Sequence, residues 1–498
     1  MKTFLSLKEI QQHSNSRSCW VIIHDQVYDL TDFLPHHPGG KSIILKYAGS
    51  DASQAYEPFH PPGTIEEYLP KQYHLGEVDP SQLKDLQVLN PKNLKINENL
   101  KEDSVPALST CLSLYDFESV AKTRISRQAW AYYSSGSDDE VSMRENSLAF
   151  QRIWFRPRIL INVSQIDFST SLLGHRTSMP IYITATALGK LGHPDGEKNL
   201  TWGAGNQNVI QMIPTLSSFS FEELIRERKT NQVQWLQVYV NSDRTKTENL
   251  IKKAEENGIQ GLFITVDAPQ LGRREKDMRL KFEDFLPKFQ EEEGSQLDRS
   301  QGAARAISNF IDPSLSWNDL AWFQKITKMP IILKGVQTWE DAILAREQGL
   351  RGIVLSNHGG RQLDYARSGI EILVEVVEEL KKRKLWNPEE FEVFVDGGIR
   401  RAGDILKALC LGAKGVGIGR PFLYAYSVYG VKGVNRAIEI LKDELEMNMR
   451  LIGARKLDEL RPEMVDLSNL KNRVNEPITN FKFRQNYEPL PQIKATKL

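Results

Sequence analysis

The chain has 498 residues, of which 40% are hydrophobic and 26% are charged, as is typical of a soluble globular protein of two or three domains. Because 64 basic residues balance 64 acidic residues, the composition does not imply a polyanion partner such as nucleic acid. No apolar run is long enough to span a membrane, and three widely spaced cysteines favour a reducing compartment without disulfides.

Targeting signals would lie at the two ends of the chain. The first ten residues lack both the apolar core of a signal peptide and the Arg-rich character of a transit peptide. We therefore expect a cytoplasmic protein, with the mitochondrial intermembrane space as the alternative. The final Thr496-Lys497-Leu498 differs by one residue from the Ser-Lys-Leu peroxisomal signal, so it is a weak address.

Residues 1–78 predict a small α+β domain. Two short strands surround a turn at His24, and residues 41–48 are helical in pattern. His37 opens a His-Pro-Gly-Gly sequence and His60 lies in a second Pro-rich turn. Two histidines on opposed loops fit the axial ligands of a haem better than a zinc site, which needs more ligands. The alternative is that both are simple turn residues.

The His-Pro-Gly-Gly motif makes this domain resemble cytochrome b5. The resemblance implies that His37 and His60 bind the iron of haem b, and that the adjacent His36 is exposed. Residues 79–110 follow as a polar, weakly periodic linker. We interpret this linker as a hinge between the haem domain and the next domain.

Residues 111–475 alternate apolar runs with helical segments, and residues 476–498 form a tail. Eight such alternations predict an α/β fold, a TIM (β/α)8 barrel, whose site lies at the carboxyl ends of its strands. The predicted strands are 180–185, 209–213, 234–239, 261–267, 329–334, 352–356, 392–396 and 415–419.

The sixth predicted strand ends in Asn357-His358-Gly359-Gly360-Arg361. The glycines allow the backbone to approach a ligand closely. His358 can move a proton near neutral pH, and Arg361 can hold a carboxylate through two parallel hydrogen bonds. The pair suggests chemistry on a small carboxylic acid, whereas the alternative is a loop histidine beside a solvated arginine.

Two glycine-rich turns follow the last two strands. Asp396-Gly397-Gly398 precedes Arg400, and Gly419 precedes Arg420. Backbone N–H groups and arginines at these positions predict a phosphate site. Because no Gly-x-Gly-x-x-Gly follows a first strand, a dinucleotide is not supported. A phosphate site in a barrel joined to a haem domain points to FMN.

The second domain resembles the FMN-dependent L-2-hydroxy-acid oxidases and dehydrogenases. The resemblance rests on these motifs: Leu114-Tyr-Asp-Phe-Glu, Trp130-Ala-Tyr-Tyr-Ser-Ser-Gly, Thr265-Val-Asp-Ala-Pro, Leu271-Gly-Arg-Arg-Glu, Lys334-Gly-Val, residues 356–364 and Val395-Asp-Gly-Gly. It implies that His358 is the base, which takes either the C2 proton or the hydroxyl proton while hydride passes to the flavin. It also implies that Asp267 orients His358, although a helix N-cap is the alternative for this carboxylate.

The resemblance assigns the remaining site residues. Arg361 clamps the substrate carboxylate with help from Arg274, and Tyr239 and Tyr115 hydrogen-bond substrate, although an ordinary core tyrosine is the alternative for Tyr115. Lys334 lies by the flavin edge that gains negative charge, or is simply a surface lysine. Ala185, Thr186, Ala187, Gln237, Thr265 and Asp396 contact the cofactor, and Lys281 meets a haem propionate.

Two positions bear on substrate and cofactor. By the resemblance, Pro214 stands where the family has a flavin-contacting serine, so that contact is expected to be lost. Leu216 stands where glycolate oxidases carry a bulky tryptophan, and Ala187 is small, so a pocket that they line would admit the methyl group of lactate.

The fusion of the two domains resembles the flavocytochromes of this family, and the resemblance implies oxidation of L-lactate to pyruvate by FMN, with electrons passed to haem b and then to cytochrome c. One alternative is another L-2-hydroxy acid, glycolate or one of longer chain, with oxygen or another acceptor. The other is a haem-binding redox adaptor with an inert barrel. The family further implies a homotetramer.

Overall fold

The protein is described by a computed structural model covering residues 4–37, 40–57, 59–60, 62–82, 105–283 and 310–473. Among these residues, every helix falls short of the length and apolarity that a bilayer crossing requires. All three cysteines of the chain are buried and unpaired.

The first domain is a small mixed sheet covered by short helices. Strand β1 pairs with β6, and the sheet continues through β4 and β3 to β2, while β5 pairs with β3. Its strands are β1 (Phe4–Leu5), β2 (Ser14–Asn15), β3 (Ser18–Ile23), β4 (Gln26–Asp29), β5 (Ser50–Asp51) and β6 (His74–Val78), and its helices are α1 (Leu7–Gln12), α2 (Lys41–Leu45), α3 (Ser53–Tyr56) and α4 (Thr64–Tyr68). Apolar side chains on the two sheet faces form two small cores, one around Ile22 and one around Val21, because successive residues of a strand face opposite sides.

Eight parallel strands of the second domain close into a barrel, in which each strand pairs with the next and the last pairs with the first. The barrel strands are β10 (Ile181–Ile183), β11 (Ile210–Ile213), β12 (Gln234–Val238), β13 (Leu262–Thr265), β14 (Ile331–Val336), β15 (Gly352–Leu355), β16 (Glu392–Asp396) and β17 (Gly415–Ile418). Every residue of these strands is buried, as a parallel sheet covered by helices requires. All eight predicted strands, and with them the predicted barrel, are confirmed.

Helices surround the barrel and lead into it. They are α5 (Leu114–Arg124), α6 (Arg127–Ser134), α7 (Val141–Gln151), α8 (Lys198–Gln207), α9 (Phe221–Arg226), α10 (Arg244–Glu256), α11 (Glu275–Glu283), α12 (Leu320–Ile326), α13 (Trp339–Glu347), α14 (Gly369–Lys382), α15 (Ala402–Cys410) and α16 (Arg420–Ile452). Helix α16 is broken at Gly430, where φ is 56°. Two short antiparallel strand pairs complete the fold, the hairpin of β8 (Thr170–Leu172) with β9 (His175–Thr177) and the pair of β7 (Trp154–Phe155) with β18 (Val465–Asp466).

Residues at both ends of the predicted linker, 79–110, contact the neighbouring domains. Gln82 accepts a hydrogen bond from the backbone N–H of Leu7 (2.8 Å), so residues 79–82 fold with the first domain. The hydroxyl of Tyr429 donates to the carbonyl of Pro106 (2.9 Å), so residues 105–110 already contact the barrel. Residues 83–104 and the predicted tail, 476–498, lie outside the described residues.

Candidate active site

His358 stands at the carboxyl end of β15 between a carboxylate and a phenol. Its Nδ1 lies 3.0 Å from Oδ1 of Asp267, and its Nε2 lies 3.1 Å from the hydroxyl of Tyr239. Burial lowers the pKa of His358, while the charge of Asp267 opposes that shift. The lowered pKa keeps the ring neutral near neutral pH, and a base must be neutral to accept a proton. The adjacent carboxylate stabilises the protonated form that results.

Glycines allow the strand ends that carry Asp267 and His358 to pack closely. A Cβ at Gly335, where φ is 110°, would stand 2.4 Å from the carboxyl carbon of Asp267, so any side chain there would displace that carboxylate. His358, Gly359 and Gly360 have φ values of 59°, 67° and 74°. This run of left-handed backbone turns the chain sharply and projects His358 from the strand end.

Two arginines, Arg274 and Arg361, lie near this imidazole and the phenol that it contacts. Nη1 of Arg361 donates to three backbone carbonyls, that of Tyr132 (2.8 Å) and those of Tyr133 and Ser135 (3.3 Å each). Burial and the charge of Arg274 lower the pKa of Arg361 to about 9. Arg274 is 4% exposed, and its Nε has no hydrogen-bond partner among the described residues. A buried and a half-buried cation with donor capacity to spare fit a carboxylate ligand.

Tyr132 belongs to this group, whereas Tyr115 does not. The guanidinium of Arg361 lies 5.0 Å from the ring centre of Tyr132. Tyr115 is 46% exposed, and its ring instead faces Arg401 at 5.8 Å. The predicted substrate contact of Tyr115 is therefore corrected, because this residue lies in the exposed first turn of α5 rather than at the end of α6.

Lys334 is buried at the end of β14 and pairs with Asp396 across the barrel mouth, with 3.2 Å between Nζ and Oδ2. Burial acts to lower the pKa of Lys334, but the carboxylates of Asp396 and Asp267 outweigh it and leave that pKa raised. The ammonium stays charged, and the alternative of an exposed surface lysine is wrong. A fixed positive charge at this position suits a group that becomes negative on reduction.

The residues predicted to contact the flavin ring line the same end of the barrel. Nε2 of Gln237 donates to the hydroxyl of Thr265 (2.9 Å). The buried hydroxyl of Thr186 has no partner among the described residues. Ala185 packs against the aromatic cluster inside the barrel, and Ala187 packs against the outer core. An unsatisfied buried hydroxyl beside small side chains leaves both space and hydrogen-bonding capacity for a polar ring system.

At the predicted phosphate site, one group of backbone N–H donors is already hydrogen-bonded within the protein. The backbone N–H groups of Arg400 and Arg401 both donate to Asp404 (3.0 Å each), so they are already occupied. The guanidinium of Arg420 donates to the carbonyls of Tyr133 (3.1 Å) and Gly359 (2.8 Å).

Positive charge and glycine backbone nevertheless meet at this end. Gly397 and Gly398 have φ values of 92° and 83°. Gly419 caps α16 immediately before Arg420. These features fit the phosphate of FMN through glycine backbone and guanidinium groups rather than through the first turn of α15.

The two predicted haem ligands face each other in the first domain. The ring centres of His37 and His60 are 6.0 Å apart. Two imidazoles that bind one metal at about 2.0 Å each place their ring centres roughly 6 Å apart. Nδ1 of His37 donates to the carbonyl oxygen of Gly40 (3.2 Å), and Nδ1 of His60 donates to the carbonyl oxygen of Tyr56 (2.9 Å).

Because both Nδ1 atoms are engaged by carbonyls, Nε2 is the nitrogen that suits an axial bond. Burial lowers the pKa of His60, which favours the neutral imidazole that a metal requires. The donor set therefore fits haem. His36 is exposed, as predicted.

The haem-binding segment also contacts the barrel. Glu57 pairs with Lys190, with 3.3 Å between Oε2 and Nζ, and Phe59 packs against the barrel's outer core. Both residues lie within three positions of His60. The side chain of Lys281, predicted to meet a haem propionate, lies outside the described residues.

Two amides that the sequence reasoning missed hold the active loop. Nε2 of Gln362 donates to the carbonyls of Asp267 (2.8 Å) and Gln270 (3.0 Å), which joins the loop after β15 to the loop after β13. Asn357 and Asn146 exchange amide hydrogen bonds of 2.8 and 2.9 Å. Gln362 and Asn357 lie within a motif recognised in the sequence, but their partners lie 92 or more positions away.

Comparisons with known proteins agree with this geometry. The FMN-dependent dehydrogenase family matches residues 121–467, and the cytochrome b5-like haem/steroid binding domain matches residues 6–79. An L-lactate dehydrogenase (cytochrome) of Wickerhamomyces anomalus is 53% identical over 479 residues, which cover 96% of this chain and 82% of the relative. The protein of the same name from Saccharomyces cerevisiae is 48% identical, over 98% of this chain and 84% of the relative.

The solved structures include a flavocytochrome b2 that is 49% identical, with a TM-score of 0.70, over 81% of this chain and 98% of that chain. A glycolate oxidase of Spinacia oleracea is 41% identical over 353 residues, 69% of this chain and 93% of the relative.

Proposed function

Because the chain belongs to the FMN-dependent dehydrogenase family and carries a cytochrome b5-like domain, we propose that it oxidises L-lactate to pyruvate. The cofactors are FMN and haem b. Electrons leave through the haem to a cytochrome, for which cytochrome c is the proposed partner. The observation that carries the proposal is the His358–Asp267 pair beside the buried Arg274 and the half-buried Arg361, in the same chain as two facing imidazoles.

Each side chain has a defined task in the proposed reaction. Arg361 and Arg274 hold the substrate carboxylate, which places C2 and its hydroxyl near His358. Nε2 of His358, which lies 3.1 Å from the hydroxyl of Tyr239, takes the substrate proton. Asp267 stabilises the imidazolium that forms. Tyr239 orients the substrate hydroxyl.

Bound FMN supplies a two-electron acceptor, and bound haem supplies a one-electron carrier. Lys334 keeps its positive charge where negative charge develops. The proposed ring contacts are Ala185, Thr186, Ala187, Gln237 and Thr265, and Asp396 is the proposed ribityl partner. Gly397, Gly398, Arg400, Gly419 and Arg420 are the proposed phosphate contacts. His37 and His60 are the proposed axial ligands.

Steady-state assays with L-lactate test the proposal. Reduction of cytochrome c should greatly exceed peroxide production by the protein loaded with both cofactors. Peroxide as the main product would favour an oxidase, and a flavin spectrum unchanged by any 2-hydroxy acid would favour an inert redox adaptor.

The homotetramer and the cytoplasmic location, with the intermembrane space as alternative, stay predictions. Light scattering of the purified protein and cell fractionation would check them.

A further inference from the structure

Two neighbouring loops carry Ala187 and Leu216, the residues that we assign to the side-chain end of the substrate pocket. They follow β10 and β11, which pair in the barrel. The backbone N–H of Leu188 donates to the carbonyl of Leu216 (3.3 Å). The N–H of Lys190 donates to the hydroxyl of Ser218 (3.1 Å). Hydrogen bonds between the two loops therefore fix the distance between Ala187 and Leu216.

One buried carboxylate joins the two loops. Glu197 is 0% exposed, and its Oε1 accepts from the N–H of Gly189 (2.8 Å) and from the N–H of Ser218 (2.9 Å). Gly189 lies two residues after Ala187, and Ser218 lies two residues after Leu216. Hydrogen bonds partly replace the hydration that a carboxylate loses on burial. Those that Oε1 accepts come from both loops, whereas Oε2 has no hydrogen-bond partner among the described residues.

The first loop is shaped around this carboxylate. A Cβ at Gly189 would lie 2.7 Å from the carboxyl carbon of Glu197, so only glycine leaves room for it. Leu188 is 1% exposed and adopts a left-handed backbone, with φ of 58°. The hydroxyl of Tyr133 donates to the carbonyl of Leu188 (2.8 Å). A strained backbone held by several partners has little freedom to move.

We infer that Glu197 is a positioning residue that sets the width of the substrate pocket by clamping these two loops, and so selects short 2-hydroxy acids. The inference rests on the proposed function. Glu197 acts on Ala187 and Leu216 through the backbone, because its hydrogen bonds go to Gly189 and Ser218, two residues beyond them.

The clamp depends on the reach of the side chain rather than on its charge. Glu197→Asp keeps the charge but withdraws the carboxylate by one methylene, which breaks both hydrogen bonds to the loops. Glu197→Gln removes the charge but keeps an oxygen acceptor at the same reach. The two variants therefore separate position from electrostatics.

The experiment compares kcat/KM for L-lactate with kcat/KM for L-2-hydroxyhexanoate in protein loaded with FMN and haem. In Glu197→Asp this ratio should fall roughly tenfold, the low end of what one methylene is worth in an apolar pocket. Glu197→Gln should keep the ratio within about twofold. Affinities for pyruvate and 2-oxohexanoate, measured from the flavin spectrum, should change in the same direction.

Glu392→Asp is the matched control. Glu392 is a second buried carboxylate, 3% exposed, that accepts the N–H of Leu173 (3.0 and 2.9 Å) at the opposite end of the barrel. Shortening it should lower the thermal stability without changing the substrate ratio. This control separates a general loss of stability from a change in the pocket.

Gly189→Ala covers the case in which Glu197→Asp does not fold. Its Cβ would lie 2.7 Å from the carboxyl carbon of Glu197, so it displaces the carboxylate from the two loops, and the ratio should then fall about two- to threefold. The inference is overturned by an unchanged ratio in a folded Glu197→Asp protein, or in Gly189→Ala if the first variant is unfolded. It is equally overturned if Glu197→Gln shifts the ratio as far as Glu197→Asp does. Failure of the proposed function would instead appear in the unmodified protein, as a flavin that no 2-hydroxy acid reduces.

Discussion

The histidine of the barrel and the histidines of the first domain use the same side chain for different chemistry. Nδ1 of His358 faces the carboxylate of Asp267 at 3.0 Å, whereas Nδ1 of His60 faces the carbonyl of Tyr56 at 2.9 Å. A carboxylate stabilises the protonated ring and so supports a base. A carbonyl fixes the tautomer and orientation of the neutral ring and leaves Nε2 to bind a metal. The partner of Nδ1 therefore distinguishes the two roles.

The largest expected effects come from removing each imidazole in turn. His358→Gln should slow flavin reduction by L-lactate about 10²- to 10⁴-fold, the range for a positioned base. Stopped-flow absorbance of the flavin measures that rate. The haem spectrum should be unchanged, because the first domain is not altered. Loss of bound flavin in this variant would mean that His358 holds the cofactor instead.

His37→Ala should have the opposite result. Without one of two axial imidazoles the haem is lost or its spectrum is changed, while flavin reduction by L-lactate keeps its normal rate. Haem content per chain and flavin stopped-flow, measured on one preparation, check both halves of the prediction. A normal haem spectrum in His37→Ala would refute the axial assignment.

Asp267→Asn tests the partner of Nδ1 itself. The amide cannot stabilise the imidazolium, so flavin reduction should slow by roughly 10- to 10³-fold. Asp267 acts to raise the pKa of His358, and the base must be neutral to accept a proton. The acid limb of the kcat/KM profile should therefore move to lower pH in the variant. An acid limb that does not move would show that Asp267 does not affect the pKa of His358.

Tyr132→Leu and Tyr115→Leu form a matched pair at the substrate clamp. Tyr132 lies under the guanidinium of Arg361, and a desolvated contact of this kind is worth up to about 2 kcal/mol. The KM for L-lactate should rise by up to about 30-fold in Tyr132→Leu. Tyr115→Leu should change it less than about twofold. The reverse order of effects would restore the original assignment of Tyr115.

The smallest effect is expected at the contact between the domains. Glu57 and Lys190 form a partly exposed pair, and such pairs contribute about 0–1 kcal/mol. Glu57→Gln should slow haem reduction by reduced flavin at most about fivefold, and higher salt should reduce the difference. Flavin reduction by L-lactate should not change. A slower flavin step in Glu57→Gln would place this contact in the substrate reaction instead.

The barrel was predictable because its signals are local. Each strand is a short apolar run, and each site residue stands where such a run ends, so the alternation places His358, Asp267 and Lys334 at one mouth. Tyr132 was missed although its Trp130-Ala-Tyr-Tyr sequence was recognised. Both α5 and α6 carry tyrosine, and a helical pattern does not show which helix end meets Arg361.

Contacts between distant parts of the chain were the ones that local patterns could not predict. Gln362 holds the Asp267 backbone across 95 positions, and Glu197 reaches Ser218 across 21. Nothing in the residues around Glu197 marks it as different from other glutamates at the start of a helix. Its role depends on two loops that come together only when the barrel closes.

Anaerobic stopped-flow of the protein loaded with both cofactors tests the central claim most directly, that His358 starts a two-step route from L-lactate through FMN to haem. After mixing with L-lactate, the flavin absorbance should fall first and the reduced-haem band should rise afterwards, and both changes should vanish in His358→Gln. Haem that is reduced without prior loss of flavin absorbance, or reduced at the normal rate in His358→Gln, would contradict it.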